Sequence, residues 1–585
     1  MDHSKPCRGF VPSSLRGNAP GLVDRSDQIS INQSDIPEKN HQTPLMRQIY
    51  KLAQRAIVWL GPEGNDSQDA INTLHYLSAQ FEIVQHDILR DSLSMVCFPT
   101  PNASEADWYQ INTPLLHSDR TWRSVEGLLS QSWFSRLWVW QELQLSSRLA
   151  LVQCGSDVMD WKSLIRAVRL LKYKLHVPNY IRDRCVELAL TAQDSSLLTT
   201  DGVLYRSQQL FSSDPRDKVY GILGLTTPGF ACRLRPQYSL SLKEVYRQAF
   251  QTCIDVEQRL DVLSMCELTT CVPDSPSWLP NLQVQRPSSY GWSWIQACTG
   301  LSCASHSFCE DATMLVEGIQ FSAISAISPS LRGGEEQLFT LYRGFVPDDQ
   351  FDDSYVTGGS LLDAFAATSR WGRLSERIWT SSKPNISSPS LEEWALVFKK
   401  ALSLHESSPN IGIFENKTFH LCSKALWRRK LIRTKDRHIG IGPPDAKIGD
   451  IVCLILGCYT PMILRPTDAG GFRVVGDGYL HGLNDADGIL GSLPKGWNSV
   501  LDTDETGVFR TIYVDQCGTI TEDDPRLPLL PSEWERMEQT RTTEDPKFFT
   551  RYRNVATGKI INSDPRMFPH ELRRRGVRLE KLRLV

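Results

Sequence analysis

Apolar residues recur every three or four positions from Phe134 to Leu145, and a mostly apolar stretch, residues 149–154, follows before Gly155. The first spacing predicts an amphipathic helix, and the second predicts a buried strand. Ser132 stands where a helix-capping residue is expected. Because a helix that feeds a strand is half of an α/β repeat, we take residues 133–155 as the segment that organises the N-terminal fold.

The chain before this segment alternates between strand and helix patterns. Residues 27–33 predict a short strand, and an Asp, a Pro and a Glu within residues 35–38 predict the start of the next helix. Pro44 marks either a kink or a second helix start. Residues 56–60 predict a second buried strand, and helical spacing follows over residues 70–81.

These patterns predict an α/β unit with a doubly wound, mostly parallel sheet over residues 24–225. Strand patterns separated by Gly and Asp turns predict a mostly antiparallel β module with a basic tail over residues 440–585. Residues 1–23 are expected to be disordered. Between the two units we expect a helical, Pro- and Trp-rich connector at 226–310 and a mixed, partly disordered region at 311–439.

The 585-residue chain has a formal net charge of −3, with 41% hydrophobic and 22% charged residues. This profile is typical of a globular protein of several domains, and it lacks the basic field with which proteins bind nucleic acid. No apolar run is long enough to span a membrane, and the polar start has no signal-peptide core. We therefore expect a cytoplasmic protein.

The chain has 15 cysteines, an odd number, and no pair of them has C-x-x-C spacing. A disulfide scaffold is therefore not expected. Cys298, Cys303 and Cys309 form the tightest group, but no histidines accompany them at zinc-ligand spacing. We predict no metal site.

The candidate functional residues are polar groups beside the predicted strands. Trp138 and Glu142 are four positions apart and share a helix face, where a lone glutamate is usually a solvated rim residue. Asp27, Asn32 and Gln33 lie in and at the end of the first strand, where open α/β sheets place ligand groups. Turn residues that bond their own backbone are an equally good interpretation of these three.

Asp214, Pro215, Arg216 and Asp217 have the pattern of a helix start. A capped amphipathic helix that ends at Gly224 explains this stretch without any chemistry. We therefore interpret Arg216 and Asp217 as architectural.

Three stretches together resemble the fungal heterokaryon-incompatibility, or HET, domain proteins. They are residues 30–61 with the Ile-Asn-Gln triplet, residues 133–155 with the Trp-Phe, Arg, Trp and Gln-Glu pattern, and residues 214–225. Residues 276–282 and 440–482 look like the region that follows the domain in many members. The resemblance implies signalling in non-self recognition that can kill fused, incompatible cells, with other incompatibility or self-associating signalling proteins as partners.

HET domains are in turn similar to Toll/interleukin-1-receptor (TIR) domains, and residues 138–143, Trp-Val-Trp-Gln-Glu-Leu, resemble a helix of plant TIR domains. In TIR domains that cleave NAD, this glutamate is catalytic. The resemblance thus implies that Glu142 is catalytic and Trp138 lines its pocket, while Asp27, Asn32 and Gln33 bond the ribose or amide of NAD. A carboxylate near the ribose can stabilise the oxocarbenium-like transition state of this cleavage.

The N-terminal segment departs from the family pattern. Residues 25–30 keep only Asp27 of the usual Trp-Ile-Asp-Ala-x-Cys, and no Ser-Tyr-x-Trp-Gly strand precedes residue 24. We therefore expect the first strand of the sheet to be missing and NAD cleavage to be weak or absent. A non-enzymatic interaction module and a degenerate, inactive HET protein are the two other interpretations.

Overall fold

The structure is a computed structural model of the full chain. It describes residues 31–32, 34–53, 55–64, 66–84, 96–110, 113–146, 150–174, 176–192, 195, 198–284, 297–333, 335–345, 350–372, 374–379, 390–403, 422–423, 426–503, 509–537 and 550–585. The expected disordered N-terminus at residues 1–23 lies outside these ranges.

Helices and strands are mixed in the first part of the chain. The helices are Ile36–Gln42 (α1), Met46–Leu52 (α2), Ser67–Ala79 (α3), Asp119–Leu129 (α4), Leu137–Leu145 (α5), Trp161–Tyr173 (α6) and Asn179–Thr191 (α7). The strands are Ile57–Trp59 (β1), Phe81–Val84 (β2), Val96–Pro99 (β3), Leu151–Cys154 (β4) and Asp157–Asp160 (β5).

Strand β4 lies at the centre of a three-stranded sheet, with β1 parallel on one side and β5 antiparallel on the other. The mixed α/β prediction is confirmed, but the mostly parallel, doubly wound sheet is not what the described strands form. The reason lies at Gly155, whose φ of +59° closes a tight turn between β4 and β5. The chain therefore returns beside β4 as a hairpin, where the parallel arrangement needs a helical crossover.

The first helix starts where the sequence predicts it. Asp35 caps α1, since its Oδ1 accepts from the Glu38 backbone N–H at 3.0 Å. Pro44 lies in a short 3₁₀ turn between α1 and α2 and so marks a second helix start.

Ser132, by contrast, does not cap α5. It begins a 3₁₀ turn, and α5 starts only at Leu137. The backbone of Phe211 causes this shift, because its N–H donates to Ser135 and its carbonyl accepts from Leu137 at 2.8 Å. A distant segment thus supplies the acceptor that a local cap would otherwise provide.

A layer of helices follows β5 and α7 in the chain. It contains Thr200–Gln209 (α8), Asp217–Tyr220 (α9), Pro228–Ala231 (α10) and Leu242–Glu257 (α11). Helix α9 ends after one turn, where the sequence predicted a helix continuing to Gly224. Residues 221–225 form turns that fit against α5, since a Cβ on Gly224 would lie 2.7 Å from the Gln141 amide nitrogen.

Strands dominate the rest of the chain. They are His306–Phe308 (β6), Met314–Ile327 (β7), Ile378–Trp379 (β8), Lys430–Thr434 (β9), Ile439–Gly442 (β10), Ile451–Ile455 (β11), Met462–Pro466 (β12), Phe472–Asp477 (β13), Tyr479–Leu480 (β14), Asn498–Thr503 (β15), Phe509–Val514 (β16), Ile520–Thr521 (β17), Trp534–Met537 (β18), Arg551–Asn554 (β19), Ile560–Ile561 (β20) and Glu580–Leu584 (β21). The helices are Glu335–Phe345 (α12), Leu361–Ser369 (α13), Leu391–Ser403 (α14), Asp487–Leu490 (α15) and Pro569–Arg574 (α16).

The predicted antiparallel region is confirmed as part of a nine-stranded sheet with the order β11-β12-β13-β21-β7-β9-β10-β14, to which β6 adds through β7. Because β11 also pairs with β7, the first five strands close into a barrel. Strands β7 and β9 come before residue 440, so the sheet continues across the boundary expected there. Local patterns do not show such pairing, since β7 and β21 are far apart in the sequence.

Candidate functional site

Helix α5 joins two apolar cores. Its residues Leu137 and Trp140 belong to a central core shared with α8, α11 and the barrel strands. Phe134, just before the helix, belongs to the N-terminal core around β1 and β4. Trp138 and Glu142 are only partly buried, one helical turn apart, on the remaining face.

The indole of Trp138 is held by a carboxylate from outside the helix. Its Nε1 donates to Asp217 Oδ2 at 3.2 Å, and the Tyr238 hydroxyl donates to Asp217 Oδ1 at 2.5 Å. Asp217 is only 6% exposed. Burial raises the pKa of Asp217, and the bonds from Tyr238 and Trp138 oppose that rise.

Tyr238 also contacts the segment that follows the Ile-Asn-Gln triplet. Lys39 Nζ lies 3.8 Å from the centroid of the Tyr238 ring, a cation–π contact, and 3.3 Å from Asp214 Oδ2. Asn40 Oδ1 accepts from the Tyr238 backbone N–H at 2.8 Å. Two segments far apart in sequence, around Lys39 and around Trp138, therefore meet at residues 214–238.

The turn that carries Asp214 is held by its own arginine. Arg216 Nε and Nη2 bind the two Asp214 oxygens at 3.0 and 2.9 Å. Burial alone would raise the pKa of Asp214, but the bonds from Arg216 and the charge of Lys39 lower it below its usual value. We call Lys39, Trp138, Asp214, Asp217 and Tyr238 the carboxylate cluster.

The candidate residues of the predicted first strand, Asp27, Asn32 and Gln33, are not part of the carboxylate cluster. Asn32 is exposed, and its Oδ1 accepts from the Ser34 backbone N–H at 3.1 Å. This is the local turn bond of the second interpretation. Asp27 and Gln33 lie outside the described residues.

Glu142 follows Trp138 by one turn of α5, and its carbonyl accepts from the Ser146 N–H at 3.1 Å near the helix end. The Trp138 indole bond goes to Asp217, which the sequence pattern had marked as architectural. The signal for Asp217 was present in the sequence, because two acids flank Arg216 directly before an apolar run. Tyr238 had no local signal, since its partners are distant in the sequence. No group of side chains in the described ranges could hold a metal ion.

Residues 26–142 match a family model described as "Heterokaryon incompatibility protein (HET)". The chain carries a HET domain. Over 318 residues it is also 27% identical to heterokaryon incompatibility protein 6, OR allele, of Neurospora crassa. That match covers 45% of this chain and 45% of the relative, so the chain spans less than half the length of that protein. No solved structure matches the chain.

These matches confirm the resemblance to HET domain proteins. The matched HET domain includes Lys39, Trp138 and Glu142, and it ends before Asp214 and Tyr238. None of the helices in the described ranges has the length and apolar character needed to cross a bilayer.

Proposed function

We propose that this chain acts in fungal heterokaryon incompatibility, as a protein whose HET domain converts recognition of non-self into cell death. The observation that carries this proposal is the HET match over residues 26–142, together with the similarity to an incompatibility protein of Neurospora crassa. The partners expected for such a role are other incompatibility proteins or further copies of a self-associating signalling protein.

The finer part of the proposal is that Glu142 supports cleavage of NAD. Glu142 is partly buried and follows Trp138 by one helical turn, so a carboxylate and an aromatic ring face the same side of α5. Such a pair can hold a ribose and stabilise positive charge that develops on it. The bond from the Trp138 indole N–H to Asp217 orients the ring on this face.

One observation favours a second candidate, a HET module that signals by binding without catalysis. Both Asp217 oxygens accept from side chains of this chain, and the Asn32 side chain bonds its own turn. Polar groups that satisfy one another in this way build a stable surface and need no substrate.

The test is expression of the full chain in a filamentous fungus that lacks it, with cell death and cellular NAD measured together. Glu142→Gln removes the charge with little change in shape. Glu126→Gln is the matched control, because Glu126 is another partly buried helical glutamate of the same domain. If Glu142 supports cleavage, the wild type and Glu126→Gln should cause death with an NAD loss that is weak but measurable, and Glu142→Gln should cause neither.

Other outcomes separate the two candidates. Death without NAD loss, equal in the wild type and Glu142→Gln, would select the binding module and remove Glu142 from the mechanism. A wild-type chain that causes no incompatibility response with any tested partner strain would overturn the proposed function.

A further inference from the structure

We infer that Asp214, Asp217 and Tyr238 form a clamp that holds two halves of the HET domain, the segment around Lys39 and the helix α5 with Trp138, against each other. The working unit of the domain then extends to at least Tyr238, well past residue 142, where the family match ends. The inference rests on the proposed function, because it assigns positioning residues to that same site.

The first step is the geometry of the two halves. The Lys39 segment is held by the ion pair to Asp214 at 3.3 Å, and next to it Asn40 accepts from the Tyr238 N–H at 2.8 Å. The Trp138 helix is held by the bond to Asp217 at 3.2 Å. Both halves are thus attached to one short stretch of chain, residues 214–238.

The second step concerns the Tyr238 side chain, which contacts both halves at once. Its hydroxyl donates to Asp217 on the α5 side, while its ring lies under Lys39 on the α1 side. Because the ring is rigid, a displacement of one half moves the ring and thereby changes its contact with the other half.

The third step is the chemistry of Asp217. A buried carboxylate is expensive to desolvate, and an apolar residue of similar size would pack there at lower cost. A carboxylate offers instead two acceptors in fixed directions, and here they receive the indole of Trp138 and the phenol of Tyr238. The arrangement fixes the orientation of Trp138, and with it the face of α5 that carries Glu142.

The fourth step is that the clamp has a rigid base. Arg216 binds both Asp214 oxygens and also donates to the Leu240 carbonyl at 3.3 Å. The Tyr246 hydroxyl donates to the Pro215 carbonyl at 2.8 Å. The turn is therefore tied to the start of α11, whose apolar residues lie in the central core. Asp217 and Tyr238 are accordingly positioning residues.

The physical test uses the full chain labelled with 5-fluorotryptophan and observed by ¹⁹F NMR. The spectrum of Trp138→Phe identifies the Trp138 resonance. Tyr238→Phe removes one hydroxyl from Asp217 and keeps the ring, and Lys39→Met removes the cation on the other side. Tyr513→Phe is the matched control, because Tyr513 also donates to a buried carboxylate, Asp524, outside the cluster. We expect the Trp138 resonance to shift or broaden in Tyr238→Phe and Lys39→Met, and to stay unchanged in Tyr513→Phe.

The functional test measures cell death and NAD loss for the same variants. We expect Tyr238→Phe and Lys39→Met to lower both responses roughly tenfold or more, because small displacements of reacting groups have effects of this size. Lys39→Arg, which keeps the cation, is expected to behave like the wild type. Circular dichroism and thermal melting show whether each variant is folded. If Lys39→Met does not fold, Tyr238→Phe alone decides the test.

The outcomes distinguish the clamp from the proposed function. An unchanged Trp138 resonance in both variants overturns the clamp, whatever the cells do. A shifted resonance with wild-type signalling overturns the positioning role and leaves the proposed function standing. If the wild type itself does not signal, the proposed function fails, and the resonance alone decides whether the clamp exists.

Discussion

Asp477 in the C-terminal barrel and Asp217 beside the HET domain are both buried carboxylates, yet their partners differ in kind. Arg429 binds Asp477 at 2.8 Å, and both side chains are fully buried. Asp217 accepts from two neutral rings, Trp138 and Tyr238. At Asp477 the charge is neutralised by an arginine that directly precedes β9. Beside the HET domain, Asp217 instead joins neutral side chains from two different parts of the chain.

The surrounding sheets differ in the same way. The barrel closes by pairing β11 with β7, so each of its five strands has a hydrogen-bonded neighbour on both sides. Within the described ranges, β1 is an edge strand of a three-stranded sheet, and Ile57 on it is 49% exposed. The barrel thus draws its stability from continuous backbone pairing and apolar burial, while the HET region depends more on side-chain contacts between helices.

The largest effect that this comparison predicts is at the buried ion pair. Arg429→Met should lower the free energy of unfolding of the barrel by roughly 3–5 kcal/mol, because it leaves the Asp477 carboxylate buried without its cation. Urea unfolding followed by tryptophan fluorescence measures the change. The double variant Arg429→Met with Asp477→Leu is the control and should recover most of the loss. A midpoint that stays unchanged in Arg429→Met would show that the pair does not stabilise the barrel.

Mild acid should weaken the nine-stranded sheet through His481, which directly follows β14. Burial lowers the pKa of His481 to about 4, and the charge of Arg377 acts in the same direction. The unfolded state, with an ordinary pKa of about 6.5, then binds the proton first. Stability is full above that value and falls as the pH drops towards 4, by at most about 1.4 kcal/mol per pH unit.

Urea midpoints at several pH values, compared between the wild type and His481→Gln, measure this dependence. Between pH 6.5 and 4, His481→Gln should lose less folding stability than the wild type. Asp217 should respond in the opposite sense, because burial raises its pKa and protonation relieves the cost of its charge. Identical pH profiles for the wild type and His481→Gln would contradict the prediction.

Alanine substitutions at Gly440 and Gly127 compare how tightly the C-terminal sheet and the HET domain are packed. A Cβ on Gly440 in β10 would collide with the backbone carbonyl oxygen of Tyr479, so Gly440→Ala should destabilise the sheet by about 1–3 kcal/mol. Gly127→Ala in α4 is the matched substitution, with no atom within 4 Å of the new methyl group. It should stabilise that helix by about 0.5–1 kcal/mol. Melting temperatures of the two variants that move in the same direction would remove this contrast.

A smaller destabilisation than that of Gly440→Ala is predicted at two helix caps. Asp35→Ala removes the cap of α1 and Ser360→Ala that of α13, each at a cost of about 1 kcal/mol. No residue of α1 is buried, whereas α13 buries Leu362 and Phe365 in an apolar core. Hydrogen exchange should therefore become faster across α1 in Asp35→Ala and change little across α13 in Ser360→Ala. Equal acceleration in both helices would indicate that tertiary packing holds α1 as firmly as α13.

Local patterns were sufficient wherever neighbouring residues decide the conformation. Asp35 starts α1, and helical spacing marks α5 before the strand β4. The late alternation correctly indicated antiparallel strands. In each case the relevant contacts lie within a few residues, and a cap, a turn or a repeating apolar face is visible in the sequence itself.

Tertiary structure decided what depends on residues far apart in the chain. Phe211 shifted the start of α5 away from Ser132, and β7 carried the barrel across the boundary expected at residue 440. The Asp217 carboxylate, with the local pattern of a helix start, became the acceptor for Trp138, 79 positions before it. A sequence pattern shows which side chains are polar and which helix face they occupy. Which donor a buried carboxylate meets is set by the packing of whole elements, because desolvation makes each such group bind whatever partner the fold brings within reach.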